Sequence, residues 1–297
     1  MNSKIIIGID LGGTKIMTGA ITYQGKVVGK PVKVPTEAEG PAETTVNRII
    51  SSVERTLNDQ GLTISDVDGI GIGSTGPLDM EKGLILECPQ LPNMNYFPLR
   101  ETIEKHFCVP VRMNNDANCL ILGECIFGAA ADKRLVVGFT LGTGIGCAVV
   151  VNKKILNGST GTAAEIWHSP YKDGIIEDYV CGAGVSKIYK SISGKEKNSL
   201  DISAMASDGD KQAIQTWNEF GMHLAVPLAW SVNLIDPDVV VIGGSVSKAY
   251  PFFKATMEDN FRKWTCPVPS EKTKVVLSKL GDDAGFIGAA CLMIDNK

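Results

Sequence analysis

Asp10 closes the run Ile5-Ile6-Ile7-Gly8-Ile9 and stands just ahead of Gly12, Gly13 and Thr14. A β-branched run of this kind suits a strand buried on both faces, and paired glycines signal a tight turn into a returning strand. Glycine has no Cβ, so the turn's amides can close on a phosphate oxygen, with the Thr14 hydroxyl as a further donor. The grammar returns at Gly138-Phe139-Thr140-Leu141-Gly142-Thr143-Gly144, which again runs into an apolar strand from Cys147 to Val151. Either hairpin alone reads equally as an ordinary turn. Their recurrence with matching Gly, Leu and first turn Gly favours a pair that grips a polyphosphate from two sides.

Three further places could carry chemistry. Asn114-Asn115-Asp116-Ala117-Asn118 follows a strand, Val109 to Met113, and precedes a helical pattern through Leu120, Ile121, Glu124 and Phe127. Asp116 there is either a base or a helix N-cap, a role worth about 1 kcal/mol. Glu165, His168, Glu177 and Asp178 gather in the irregular stretch from Gly158 to Gly184, where E-x-x-H spacing lets two side chains reach one ligand. A lone histidine also reads as a satisfied surface or core residue. Glycine-bearing strand ends, Gly73-Ser74-Thr75-Gly76-Pro77 and Ile242-Gly243-Gly244-Ser245, fall where open α/β sheets bind ligands.

The elements that must hold these residues follow from periodicity. A third strand from Val27 completes a meander, and Val46, Ile49, Ile50, Val53 and Leu57 mark a helix after Gly40-Pro41. Asp68 to Gly73 is a glycine-interleaved strand, and Leu84 to Pro98 is proline-rich and irregular. Leu99 to Phe107 reads as a short helix, Ser186 to Asn218 as mainly helical, Val239 to Ile242 and Val275 to Leu277 as strands, and Phe286 to Ile294 as a final small-residue helix.

Composition narrows the class. The chain has 297 residues, enough for two domains, and 44% hydrophobic residues can fill a core in each. A net charge of -4 and the lack of any basic run argue against nucleic acid. No apolar run approaches the roughly 20 residues of a membrane span, so a soluble, cytoplasmic protein is expected. The eight cysteines show no C-x-x-C pair and read as small core residues.

Taken in order, IGIDLGGTK (Ile7 to Lys15), NNDAN (Asn114 to Asn118), TLGTGIG (Thr140 to Gly146) and DPDVVVIGGSVS (Asp236 to Ser247) resemble the ROK family of sugar kinases and repressors. The resemblance covers nearly the whole chain. It implies an actin-like ATPase fold of the ribonuclease-H-like kind, α/β throughout, with two domains around a cleft that closes on sugar binding. The expected partition is 1–115 plus a C-terminal helix at 286–297 for the smaller domain, and 116–285 for the larger. The cofactors it implies are ATP and Mg²⁺, the acceptor a hexose.

Carried over by position, Asp116 corresponds to the catalytic base, and Ser74, Thr75, Gly76, Asn93, Asn115, Asp116, Glu165, His168 and Glu177 to the sugar site. Asp10 would hold Mg²⁺ through water, with Gly12, Gly13, Thr14, Lys15, Thr143 and Gly144 at the phosphates and Gly243 and Gly244 by the adenosine. Family kinases follow their E-x-G-H segment with a cysteine cluster, C-x-C-G-x-x-G-C, that holds zinc. Here Glu165-Ile166-Trp167-His168 leads only to Ile176-Glu177-Asp178-Tyr179 and a single Cys181, so no zinc is expected. Trp167 also adds bulk where the family carries glycine.

The reaction expected is phosphoryl transfer to glucose, giving glucose 6-phosphate. Fructose, N-acetylmannosamine, N-acetylglucosamine or a β-glucoside are the alternative acceptors, and a sugar-binding regulator without catalysis is the weaker reading. A DNA-binding repressor is disfavoured because only nine residues precede Asp10. An oxidoreductase is disfavoured because Gly142-x-Gly144-x-Gly146 enters a strand instead of opening a helix. A homodimer is expected from the family alone.

Overall fold

The computed structural model describes residues 4–294, which fall into two compact units. The first comprises the chain up to Asp132, Lys153–Ala163 and the chain from Lys279 onward; the second comprises Lys133–Asn152 and Ala164–Ser278.

In the first unit the isoleucine run forms β1 (Ile5–Leu11), which turns through the glycines into β2 (Lys15–Thr22) and then β3 (Val27–Pro35). Helix α1 (Ala42–Asn58) follows and buries Val46, Ile49, Val53 and Leu57, the positions its periodicity marks. The chain then lays down β4 (Val67–Ser74), α2 (Leu99–Phe107), β5 (Val111–Asn115) and α3 (Asp116–Ile126). The sheet order is β3-β2-β1-β4-β5, with β1 antiparallel to β2 and parallel to β4, which is parallel to β5.

The second unit repeats the theme. Strands β6 (Leu135–Leu141) and β7 (Ile145–Val151) form an antiparallel hairpin. Helices α4 (Gly182–Ser193), α5 (Ser199–Ser207) and α6 (Lys211–Ile235) lead to β8 (Val239–Gly243), which lies parallel to β6. Helix α7 (Tyr250–Trp264) and edge strand β9 (Lys274–Leu277), parallel to β8, complete it. The core of this unit is aromatic, with Trp217, Phe220 and Phe253 packed edge to face or tilted. Both units therefore carry one hairpin closed by a glycine turn and one parallel strand beside its first arm, so the sequence repeat is a structural repeat.

The final helix, α8 (Ala284–Cys291), belongs to the first unit and begins two residues earlier and ends three earlier than expected. Its backbone lies directly on the sheet: a Cβ at Gly71 would stand 1.8 Å from the Ala289 carbonyl oxygen. That close approach explains why the strand Asp68 to Gly73 is interleaved with glycine. The partition also differs from 1–115 plus 286–297. Helix α3 packs against α8, and Asn157 accepts a hydrogen bond from the Asn114 amide at 3.0 Å, so both segments group with the first unit. Of the cysteines, Cys108 and Cys266 are exposed, so the core reading does not extend to them.

Glu124 is fully buried in α3 and accepts backbone N–H groups from Ala129, Lys279 and Leu280 at 2.6, 3.1 and 2.9 Å. These bonds fasten α3 to the segment that leads into α8. Glu124→Ala would leave three part-buried backbone donors without this acceptor and is expected to lower the unfolding free energy by about 3 kcal/mol, measurable by urea titration.

Candidate active site

In the first unit, β1 delivers Asp10 to the mouth of the glycine turn. The turn is fixed from two directions: Gly12 N donates to the Lys15 carbonyl at 3.0 Å, and the buried Thr36 hydroxyl donates to the Gly12 carbonyl at 2.7 Å. Thr14 and Lys15 remain exposed above it. Burial pushes the Asp10 carboxyl up to about 6; the nearby Asp116 charge adds to the rise and Lys15 opposes it. Asp116 is itself raised, first by burial, against the lowering effect of hydrogen bonds from Ala117 and Thr75. Two neighbouring carboxylates that both resist ionisation form a place where a cation or a proton is wanted.

The N-cap question at the end of β5 has a definite answer. Asn115 is the cap, its side-chain oxygen accepting from Ala117 N at 3.0 Å and Asn118 N at 3.4 Å, and Asp116 is the first residue of α3. Asp116 Oδ1 accepts from Ala117 N at 2.7 Å, while Oδ2 accepts from the Thr75 hydroxyl at 3.4 Å. Thr75 thus meets Asp116, and Gly76 leaves Asn115 Nδ2 just 3.4 Å from where its Cβ would be. Two other expected sugar residues use their donors within the first unit, while the buried Asn93 Oδ1 has no hydrogen-bond partner among the described residues. Ser74 is buried and its hydroxyl donates to the Thr75 carbonyl at 3.0 Å. Asn93 donates from Nδ2 to the Thr45 hydroxyl at 2.9 Å and to the Pro41 carbonyl at 3.4 Å.

In the second unit the turn Gly142-Thr143-Gly144 is pinned by Gly182 N, which donates to the Gly142 carbonyl at 2.8 Å from the start of α4. Glu177 lies against this turn: its Oε2 accepts Ile145 N at 3.0 Å and stands 2.3 Å from where a Gly144 Cβ would be. Glu165 and His168 flank a short helical turn, Ile166–His168, and both are exposed. The Trp167 indole N–H donates to Glu165 and its ring lies 4.9 Å from that of His168. Gly243 ends β8, and Gly244 has φ of 87°, its would-be Cβ 2.3 Å from the Leu141 carbonyl oxygen. Thr143 and Gly144 are thus grouped with Glu177, and Gly243-Gly244 with the end of β6.

Several contributors lie outside the expected set. Thr36, which holds the first turn, sits in a loop whose spacing gives no signal. Gly285 abuts Asp10, and only a match between the glycines of β4 and the small residues of α8 could have pointed to it. Tyr171 and His223 also escaped, because they meet across distant parts of the chain.

Among the described residues, no group of three or more His, Cys, Asp or Glu is arranged to hold a metal ion. Mg²⁺ is held in nucleotide sites by one or two carboxylates together with phosphates and water, and the Asp10 carboxylate at the turn fits that mode. The ionisation of Asp10 predicts a stability effect. Well below pH 4 its carboxyl is neutral in folded and unfolded chains alike; as pH rises from about 4 to about 6 the unfolded chain ionises first, and above that the folded chain must ionise it against its preference. Asp10→Asn is therefore expected to stabilise the ligand-free protein by about 3 kcal/mol at pH 7 and by little near pH 3, as read from urea titrations at both values.

No described helix is long and apolar enough to cross a membrane. A glucokinase of Halalkalibacterium halodurans is 28% identical over 99% of this chain and 96% of its own. An N-acetyl-D-glucosamine kinase of Vibrio cholerae is 29% identical over 97% of this chain and 99% of its own. The crystal structure of a ROK family glucokinase from Streptomyces griseus, in complex with glucose and AMPPNP, superposes with a TM-score of 0.83 at 28% identity. That match covers 97% of this chain and 98% of the other. The two-sheet α/β architecture is thus the actin-like ATPase fold of ROK sugar kinases. The ROK family pattern matches residues 6–296, and the chain belongs to that family.

Proposed function

We propose that this protein is an ATP-dependent sugar kinase that moves the γ-phosphoryl group of Mg-ATP onto a hexose hydroxyl, with glucose as the first acceptor to consider. The observation that carries this reading is Asp116, a carboxylate raised by burial at the first turn of α3, oriented by Thr75 and electrostatically coupled to Asp10. In the transfer, the sugar oxygen forms a bond to the γ-phosphorus while the bond to the ADP oxygen breaks. The hydroxyl proton passes to the Asp116 carboxylate. Little else is asked of the protein than alignment and charge neutralisation.

Asp10 is assigned to the metal, which when bound supplies charge neutralisation at the phosphates. Gly12, Gly13, Thr14, Lys15, Thr143 and Gly144 take the phosphates, and Gly243 and Gly244 the adenosine. Thr75, Gly76, Asn115, Glu165, His168 and Glu177 hold the sugar. Ser74 and Asn93, whose donors are used within the first unit, serve as supports for it.

A second acceptor is specifically favoured by the Vibrio cholerae relative, a kinase for N-acetyl-D-glucosamine. The test is Mg-ATP-dependent ADP release over a panel of hexoses, N-acetylhexosamines and β-glucosides. One sugar with clear turnover names the acceptor, and turnover with none of them rejects the reading. A homodimer is also proposed, to be read from light scattering.

A further inference from the structure

The segment that separates His168 from Glu177 is a miniature hairpin. Pro170 pairs with Ile175 and Tyr171 with Gly174, and Lys172 takes a left-handed φ of 53° at the tip. Two residues per arm cannot hold such a hairpin in place alone. It is closed on one side by the Asp178 carboxylate, which accepts Ile175 N at 2.9 Å, and by Ile176 N, which donates to the Ser169 carbonyl at 3.0 Å. The Tyr179 hydroxyl donates to Asp173.

What fastens the hairpin to the rest of the second unit is His223 of α6. Its side chain is buried, and its Nδ1 lies 2.9 Å from the Tyr171 hydroxyl. Lys172 Nζ stands 3.5 Å from Nε2, with Glu219 Oε1 at 3.6 Å from the same nitrogen. The neutral ring carries one N–H: with Nδ1–H it donates to the Tyr171 oxygen and accepts from Lys172 at Nε2, and with Nε2–H it accepts the Tyr171 hydroxyl at Nδ1 and faces Glu219. The ring is neutral in this arrangement: burial, with help from Lys172, pushes it down to about 4. Around it the rings of Tyr171 and Tyr179 pack at 5.7 and 5.0 Å, and Trp230 meets Tyr171 at 6.4 Å. Lys172 Nζ lies 5.0 Å from the centre of the Tyr179 ring.

We propose that the His223–Tyr171 contact is a latch that positions the sugar-binding segment, setting where His168 and Glu177 stand at the two ends of the hairpin. His223 and Tyr171 act through the hairpin and touch no substrate, so they are positioning residues. The assignment of His168 and Glu177 to sugar rests on the kinase reading above; the latch itself rests on the packing of the hairpin against α6.

The experiment compares wild type with Tyr171→Phe, which removes one hydroxyl and keeps the ring, and with His223→Ala and His223→Gln. Amide hydrogen exchange over residues 169–178 is followed in each, together with steady-state kinetics on the sugar that wild type turns over. The latch predicts faster exchange confined to that stretch in Tyr171→Phe and His223→Ala. It also predicts a sugar KM raised about fivefold, the weight of one buried hydrogen bond, with kcat and the KM for ATP within twofold of wild type. His223→Gln, whose amide offers Tyr171 either a donor or an acceptor, should recover part of the loss. Unchanged exchange in Tyr171→Phe overturns the latch, as does a uniform fall in kcat and both affinities that follows loss of folded protein. Absence of turnover in wild type rejects the kinase reading instead, and the exchange data still decide the latch.

Discussion

Replacing Asp116 by asparagine is expected to lower kcat by about three orders of magnitude, with the sugar KM changed by less than threefold. The size follows from the worth of a positioned base, about 10²- to 10⁴-fold. Asparagine keeps the volume of the side chain, and its amide oxygen can still accept Ala117 N or the Thr75 hydroxyl, so α3 should begin as before. What it loses is the ability to take a proton. A carboxylate buried enough to have its ionisation disfavoured is a stronger base than one in water, and hydrogen bonds from Ala117 and Thr75 oppose that rise. The sign with pH follows: kcat/KM should fall as pH drops and the raised carboxyls of Asp116 and Asp10 take up protons, the latter at about 6. Parallel kinetics of the two proteins from pH 5 to 8 checks both statements. A variant with wild-type kcat would remove Asp116 from the chemistry.

Gly285→Ala is the second large effect. A Cβ at this position would lie 2.6 Å from Asp10 Oδ2 and 2.7 Å from Asp10 Cγ. The helix cannot yield, because its backbone is already seated on Gly71 and Gly8 of the sheet, so the Asp10 carboxylate is the group that moves. If Asp10 orients metal and phosphates as proposed, a shift of about 1 Å in its carboxylate should lower kcat by about 10²-fold. Thermal stability should fall far less than for Glu124→Ala, since no buried donor is left unpaired. Kinetics at several Mg²⁺ concentrations would show whether metal affinity carries the loss. Unchanged kcat at saturating Mg-ATP would mean that the Asp10 carboxylate needs no such exact seat.

Much of this architecture was legible because its signals are local. The isoleucine run, the turn glycines and the repeat at Gly138 announce two hairpins, and Leu99–Phe107 agrees with its helical spacing to the residue. The strand-to-helix junction at Asn115 and Asp116 is legible in the sequence, but the N-cap falls on Asn115 and not on Asp116, the residue the spacing offers for it. The grouping of the chain into compact units differs from the expected partition for a physical reason. Helix α3 begins at Asp116 with no break after β5, and its place with the first unit depends on Glu124 reaching Lys279 and Leu280, a contact invisible in any local pattern. Thr36 under Gly12, Gly285 against Asp10 and His223 behind Tyr171 share that property. Each is a close approach between distant segments, set by packing and not by periodicity. The engagement of Ser74 and Asn93 with their own unit was hidden for the same cause.

The measurement that tests the central claim most directly is sugar-dependent release of ADP from Mg-ATP by the purified wild-type protein, with the phosphorylated product identified by phosphorus NMR. The account predicts ADP and a sugar phosphate monoester in equal amounts, with little ADP when sugar is left out. ADP released at the same rate with and without sugar, or sugar bound with no ADP formed, would contradict it.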